Sequence, residues 1–268
     1  MVRLRPVSWF LVPLLGAFLA TKTALAQNGQ PQRSPTAETS SRILVIGFVG
    51  GFVRHDEPRH PEGQLIQHLR EKYPARVEGR VFENHRRRDA YRLIREQLDS
   101  NHDGKLSAEE KQNARILLFG HSWGASTVVS LARHLERDGI PVALTVQIDS
   151  VAKVGQNDSL IPGNVHEAVN FYQRGGWLHG RKRIRAADPT RTQILGNYQL
   201  SYENRSVDCS GSPWYGRAFT RGHIQIERDP EVWSQIESLI RAQLPKEVST
   251  GSPREGLEPA RPADADLR

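Results

Sequence analysis

The sequence predicts a three-layer α/β fold, with a mainly parallel sheet of about six strands and helices on both faces. Short apolar runs alternate with segments whose apolar residues have helical spacing, as in chains that build parallel sheets. A Gly-x-Ser-x-Gly pentapeptide lies between one such run and one such segment. The 268 residues are 37% hydrophobic and 25% charged, which suffices for a core and excludes collagen-like, disulfide-scaffold and wholly disordered chains.

The first 26 residues have the pattern of a signal peptide. Arg3 and Arg5 give a basic start, residues 7–20 are apolar, and small residues before and at Ala26 form a cleavage pattern. The apolar stretch is shorter than the about 20 residues that span a membrane. We therefore expect export, to the periplasm or the medium, after cleavage near Ala26; an uncleaved anchor is the alternative.

The remaining chain divides into three parts by composition. Residues 27–41 are rich in Gln, Ser, Thr and Pro and predict a flexible leader. Residues 245–268 contain prolines and charges but no aromatic residue, and predict a disordered tail. One folded domain is therefore expected over residues 42–244.

Charge and cysteine content exclude several partners. Removal of residues 1–26, with three basic residues and no acid, lowers the net charge from +7 to +4, and the charges are interspersed. The run Arg86–Arg88 is too short for a nucleic-acid surface. Cys209 is the only cysteine, so no intramolecular disulfide and no cysteine-based zinc site can form. We expect a monomer that binds no nucleic acid and has no stable membrane span.

Apolar patterning places the elements of the predicted sheet. Short apolar runs, typical of buried parallel strands, predict strands at residues 43–48, 116–119 and 141–148, and further strands are predicted at residues 75–82 and 165–172. Apolar residues at helical spacing predict helices around residues 65–69, 91–98, 125–137 and 230–244.

Residues Gly120-His121-Ser122-Trp123-Gly124 join the strand that ends at Phe119 to the helix from Ala125. This strand–turn–helix setting is the one in which Gly-x-Ser-x-Gly forms a nucleophile elbow. Its glycines permit a turn that would be blocked by side chains, and the turn exposes the serine hydroxyl. Ser122 is therefore the candidate nucleophile.

A nucleophilic serine needs a base, and the base needs a carboxylate that orients it. Asp149 follows the strand 141–148, which places it at the carboxyl end of the sheet, where active-site groups of parallel sheets collect. Asp188 is the alternative acid. We expect Asp149 to orient the base.

The base is expected late in the chain, because this motif occurs with the order Ser, acid, His. His223 lies in a predicted loop before the last helix and fits that order. His166 and His179 are the alternatives. We expect His223 to accept the proton of Ser122.

An oxyanion hole needs two converging N–H donors. One is expected from the backbone N–H of Trp123, directly after the nucleophile. The other is expected from the Gly-rich loop after the first strand, from Phe48 or Val49.

On these residues the chain resembles the α/β-hydrolase superfamily of the lipase, esterase and thioesterase type, over about residues 42–244. It departs from the family pattern at Ile46-Gly47, where the family has His-Gly, and the first two strands of the larger fold are missing. The resemblance implies transfer of an acyl group to water through an acyl-enzyme on Ser122.

Residues 99–110 match the twelve-residue calcium loop of an EF-hand at every fixed position, with Gly104 at the sharp turn. Oxygen ligands are expected from six residues: Asp99, Asn101, Asp103, the carbonyl of Lys105, Ser107 directly or through water, and a bidentate Glu110. Sensor EF-hands come in pairs, and the sequence holds no second loop. We expect a structural calcium ion that clamps a helix to the strand carrying Ser122.

Substrate choice is not determined by the sequence. The irregular stretch 157–215 predicts either a cap over Ser122 or ordinary core and loops; its aromatic residues are Phe171, Tyr172, Trp177, Trp214 and Tyr215. The leading hypothesis is an exported, calcium-binding serine hydrolase that cleaves carboxylic esters. The alternatives are a non-catalytic calcium-binding interaction protein on a hydrolase scaffold, and an acyltransferase that uses the same residues.

Overall fold

Six parallel strands form the main sheet, in the order β2-β1-β3-β4-β6-β8. The computed structural model describes residues 42–210 and 220–244. The strands of this sheet are β1 (Ile43–Val49), β2 (Val77–Glu83), β3 (Ile116–His121), β4 (Val142–Ile148), β6 (Val165–Gln173) and β8 (Gln193–Leu200). Two short strands, β5 (Leu160–Ile161) and β7 (Arg185–Ala186), pair separately. The predicted parallel α/β fold is confirmed.

Helices cover both faces of the sheet. They are α1 (Pro61–Lys72), α2 (Arg87–Leu98), α3 (Ala108–Gln112), α4 (Trp123–Arg137), α5 (Arg221–Arg228) and α6 (Pro230–Ala242). One buried cluster joins α2 and α4 to the sheet, and the other joins α1, α5 and α6 to its opposite face. The chain therefore has three layers.

The alternation of side chains along the strands explains the two cores. In β1, Ile43 and Val45 belong to the cluster with α1, whereas Leu44 and Ile46 belong to the cluster with α4. Successive strand residues point to opposite faces, so a strand covered on both sides must be apolar throughout. All seven residues of β1 are buried.

The candidate site lies where the chain changes direction across the sheet. Strand β2 pairs with one edge of β1, and β3 pairs with the other. Loops that leave neighbouring strands in opposite directions open a crevice at their carboxyl ends, and ligands of open parallel sheets bind there. The chain leaves β1 at Gly50 and β3 at Ser122.

Residues 157–200 form four strands, β5, β6, β7 and β8, and the turns between them, and Leu178 of this stretch lines the cavity that contains Ser122. Phe171 is buried within β6 and belongs to the core, whereas Trp177 is exposed. Trp214 and Tyr215 lie outside the described residues, as do the predicted signal peptide, leader and tail.

Candidate active site

The turn at Ser122 is tight because two glycines allow its flanks to touch. A Cβ on Gly120 would lie 2.7 Å from the carbonyl carbon of Gly124, and a Cβ on Gly124 would lie 2.2 Å from the carbonyl oxygen of Phe48. Ser122 itself has φ 57° and ψ −122°. A positive φ is unfavourable for a residue with a side chain, and such strain is typical of functional sites.

Hydrogen bonds attach this turn to the end of β4. The N–H of Ser122 donates to the carbonyl of Ile148 at 2.9 Å, and the N–H of Val151 donates to the carbonyl of Ser122 at 3.2 Å. Asp149 lies between those two partners. The strand end therefore carries the carboxylate next to the nucleophile, as the sequence predicts.

Ser122 and His223 line one cavity of about 860 Å³. Gly50 lines the cavity directly beside the serine, since a Cβ at that position would lie 2.9 Å from the Cβ of Ser122. The apolar part of the wall is formed by several side chains, namely Phe52, Val53, Trp123, Val151, Leu178 and Ile224. The cavity is within the size range of small-molecule sites.

Asp149 is fully buried and accepts four hydrogen bonds. The backbone N–H of Gly180 donates to Oδ1 at 2.7 Å, and that of Gln173 donates to the same oxygen at 3.3 Å. The side-chain amide of Gln173 donates to Oδ2 at 2.7 Å, the oxygen that also receives His223. Both carboxylate oxygens are thus held, and the imidazole is oriented by one of them.

His223 is brought to Asp149 by helix α5. Its Nδ1 lies 2.7 Å from Oδ2 of Asp149, and 93% of the residue is buried. It is the third residue of this helix, so its predicted placement in a loop is wrong. The helix has eight residues, and its two isoleucines, Ile224 and Ile226, are too few to reveal a helical spacing of apolar residues.

The alternative residues lie elsewhere. The carboxylate of Asp188 accepts from the N–H and hydroxyl of Thr190, at 2.9 and 2.6 Å. His166 and His179 are exposed. Neither histidine lines the cavity that contains Ser122.

Burial and charge set the protonation states of the pair. Burial opposes ionisation of Asp149, but its hydrogen bond and charge interaction with His223, together with the bonds from Gln173 and Gly180, lower the pKa of the carboxyl below its usual value. Burial is the main reason that the pKa of His223 lies below 6.5, and the charge of His121 lowers it further. The hydrogen bond to Asp149 and the negative charge of Asp149 act in the opposite direction and raise the pKa of His223. At neutral pH the imidazole is therefore neutral and can accept a proton.

We expect hydrolysis to fall at acidic pH as His223 becomes protonated. Its pKa lies below 6.5, so kcat/KM should be constant near neutrality and should decrease as the pH falls through that pKa. The groups that face His223 are Asp149, His121 and Glu227. A pH–rate profile of the free enzyme measures the value, and a half-maximal point above pH 6.5 would contradict this assignment.

The structure places the two residues expected to give the second oxyanion donor in a strand and not in a loop. Phe48 and Val49 lie inside β1, fully buried, and neither lines the cavity. The wall begins at Gly50 and continues through Gly51, which has φ 49°. Strand β1 is longer than predicted because its apolar run continues to the glycines. Trp123 is the first residue of α4, where the backbone N–H has no partner within the helix.

Sequence reasoning missed Gln173 and Gly180. A Cβ on Gly180 would lie 2.2 Å from the carbonyl carbon of Asp149, so only glycine fits against that backbone. Gln173 is fully buried at the end of β6, beside β4. A glutamine at the carboxyl end of an apolar strand was the available signal, because a buried amide needs a polar partner.

The predicted calcium loop joins α2 to α3 and lies outside this cavity. The carboxylate of Asp99 accepts from the N–H groups of Asp103 and Gly104, at 3.1 and 2.8 Å, and Gly104 has φ 78°. Glu110 accepts from the N–H groups of Ser100 and Ser107 at 2.8 and 2.9 Å. Those bonds, with the two serine hydroxyls, lower the pKa of Glu110 to about 2. Helix α3, with five residues, is short as expected.

No helix within residues 42–210 and 220–244 is both long and apolar enough to cross a bilayer.

No family model and no curated protein matches the chain. Among solved structures, it is similar to a thioesterase from the prodiginine biosynthetic pathway in Streptomyces coelicolor, at 11% identity and a TM-score of 0.41, over 82% of this chain and 98% of the other. It is also similar to a cutinase-like protein from Cryptococcus sp., at 13% identity and a TM-score of 0.40, over 75% and 94%. An acetyl xylan esterase is similar at 9% identity and a TM-score of 0.35, over 75% and 98%.

Proposed function

We propose that the protein is an exported serine hydrolase that cleaves carboxylic esters. One observation carries this proposal. A serine on a strained strand–helix turn shares a cavity with a histidine whose Nδ1 lies 2.7 Å from a buried aspartate. Nucleophile, base and orienting carboxylate are the three groups that serine-dependent acyl transfer requires.

Each residue has a distinct role in the proposed reaction. The hydroxyl of Ser122 attacks the ester carbonyl, and Nε2 of His223 accepts its proton and then donates it to the leaving alcohol. Asp149 keeps the Nδ1 proton in place and stabilises the imidazolium. Water then attacks the acyl-enzyme with the same histidine as base. The N–H of Trp123, and one from the Gly51–Phe52 turn, stabilise the oxyanion.

The cavity favours an ester with an apolar acyl group. Phe52 is 95% exposed and makes an edge-on contact with Trp123, the ring centroids being 5.5 Å apart. Val151 and Leu178 line the same space. Covering an exposed aromatic side chain such as Phe52 with an acyl chain is favourable, because apolar surface is removed from water.

Labelling with a fluorophosphonate probe tests the proposal. We expect the native protein to be labelled and Ser122→Ala to be unlabelled. Ser234→Ala is the matched control, because Ser234 is exposed on α6, and it should be labelled as the native protein is. Equal labelling of the native protein and Ser122→Ala, or labelling of neither, would reject the proposal. The second result would favour the non-catalytic alternative.

An added alcohol separates a hydrolase from an acyltransferase. Both reactions pass through an acylated Ser122, so the probe labels both. We expect the free acid to remain the main product when a small alcohol is added to the ester. Ester exchange as the main reaction would favour a transferase.

We propose that residues 99–110 hold a structural calcium ion. The oxygen-rich donor set is the one that Ca²⁺ prefers. The oxygens of Asp99, Asn101 and Asp103 already turn inward onto the amides of the loop. Among the described residues, only His60, Glu62 and Glu227 bring three carboxylate or imidazole ligand atoms within 4.8 Å of one another. The three acids of the loop are not yet that close together. Calcium binding therefore requires the carboxylates of Asp99, Asp103 and Glu110 to move closer together.

Calcium should raise the thermal midpoint of unfolding, and Glu110→Gln should abolish that increase. At a calcium concentration of about 100 Kd, the expected stabilisation is about 2.7 kcal/mol. Glutamine retains the capping of α3 by residue 110 but cannot act as a bidentate carboxylate. Scanning calorimetry with calcium or chelator measures the difference. An unchanged midpoint of the native protein would contradict the calcium proposal.

Export and a monomeric state are parts of the same proposal. N-terminal sequencing of protein recovered from the periplasm or medium should give a start near Gln27. Light scattering of that mature form should give the mass of one chain.

A further inference from the structure

A cluster of acidic and imidazole side chains lies against the candidate active site and has no role in the reaction proposed above. His60 precedes α1, Glu62 is in its first turn, and Glu227 is in α5. Nδ1 of His60 lies 3.1 Å from Oε1 of Glu227 and 3.8 Å from Oε2 of Glu62. One ligand atom from each residue lies within 4.8 Å of those of the other two.

Polar atoms of this cluster are buried without hydrogen-bond partners among the described residues. Glu62 is fully buried, and neither of its carboxylate oxygens has a partner. Nδ1 of His60 also has none, although it lies close to Glu227. A buried carboxylate is costly unless it is paired or coordinates a metal. The side chains lie close enough to share one ion, yet are not aligned as donors and acceptors.

We propose that His60, Glu62 and Glu227 bind a divalent transition-metal ion of the zinc type, with one imidazole and two carboxylate ligands. In a tetrahedral site with bonds of about 2.1 Å, neighbouring ligand atoms are about 3.4 Å apart. The separations of 3.1 and 3.8 Å lie on either side of that value. The two carboxylates balance the charge of the ion, and a fourth position remains for water.

His121 lies at the edge of the site, not within it. Its Nδ1 is 3.5 Å from Oε1 of Glu227, and its ring contacts that of His223 with centroids 4.4 Å apart and the ring planes tilted by 37°. Both of its ring nitrogens lack a hydrogen bond among the described residues. The bound ion would not contact His223. It would hold Glu227, and through Glu227 it would fix the helix that carries His223.

Such an ion would join two segments that are distant in sequence. Glu227 lies four residues after His223 on α5, and His60 and Glu62 lie at the start of α1. An ion held by both segments attaches the helix that presents His223 to α1, which packs on the same face of the sheet. We therefore expect zinc to stabilise the folded protein.

Metal analysis of the mature protein tests this inference. After chelator treatment and incubation with Zn²⁺, we expect one zinc per chain by plasma mass spectrometry, and a visible Co²⁺ spectrum typical of tetrahedral coordination. Glu62→Gln should weaken zinc binding more than tenfold. His60→Ala, at a side chain that is 14% exposed, should give the same result if the buried variant does not fold.

Controls separate this site from the other two. Glu237→Gln changes an ion pair with Lys72 on the same face and should bind zinc as the native protein does. Glu110→Gln removes the proposed calcium ligand, and Ser122→Ala the proposed nucleophile; both should also bind zinc normally. Because the readout is metal content, loss of labelling at Ser122 would leave this inference intact. Absence of bound zinc, or equal affinity in native protein and Glu62→Gln, would overturn it.

Discussion

Asp149→Asn should lower kcat for ester hydrolysis by about 10⁴-fold and leave the fold intact, as the equivalent change does in serine proteases. An asparagine accepts hydrogen bonds only through its oxygen, and its NH₂ group would face either Gly180 or Nδ1 of His223. A donor facing Nδ1 stabilises the tautomer whose proton is on Nε2. That nitrogen could then no longer accept the proton of Ser122.

The matched control for this change is Asp188→Asn. Asp188 is the other acid that the order of residues allows. Its carboxylate accepts local hydrogen bonds from the N–H and hydroxyl of Thr190. Steady-state kinetics of both variants, with thermal melts to show that each is folded, decide between the two acids. A large loss of activity in Asp188→Asn with a small loss in Asp149→Asn would reject the assignment.

The residues that sequence analysis identified are those whose position is determined locally. Ser122 lies in a pentapeptide whose glycines, strand and helix are contiguous, so the turn can be recognised without the fold. Asp149 follows an apolar run and therefore occupies a strand end in any parallel sheet. His223 needed only the order of the three groups along the chain. Its helix was missed because eight residues with two isoleucines are too few for apolar spacing to indicate a helix.

The residues that were missed depend on contacts between distant segments. Gly180 lies 31 positions after Asp149, and its need for glycine arises only when the two backbones touch. The pairing of His60 and Glu62 with Glu227 likewise requires α1 and α5 to lie on the same face of the sheet. Strand β8 was missed for another reason, since it lies at the sheet edge and has no buried residue to give an apolar run.

Gly124→Ala should destabilise the protein by about 3 kcal/mol, at the upper end of the typical range for overpacking of a core. A Cβ at this position would lie 2.2 Å from the carbonyl oxygen of Phe48 and 2.9 Å from that of Val49. Both atoms are backbone of β1, which is paired on both edges and cannot give way as a side chain can. Helix α4 would have to move away from the sheet, together with Ser122 and Trp123.

Gly63→Ala gives this prediction a control of opposite sign. Gly63 is also in a helix, α1, but a Cβ there would meet no atom within 4 Å. Alanine should stabilise that helix by up to about 1 kcal/mol, since it has the higher helix propensity. Chemical denaturation should therefore give changes of opposite sign for two identical substitutions. If Gly124→Ala were neutral and active, α4 would not be in contact with β1, and the packing that holds Ser122 at the cavity would be wrong.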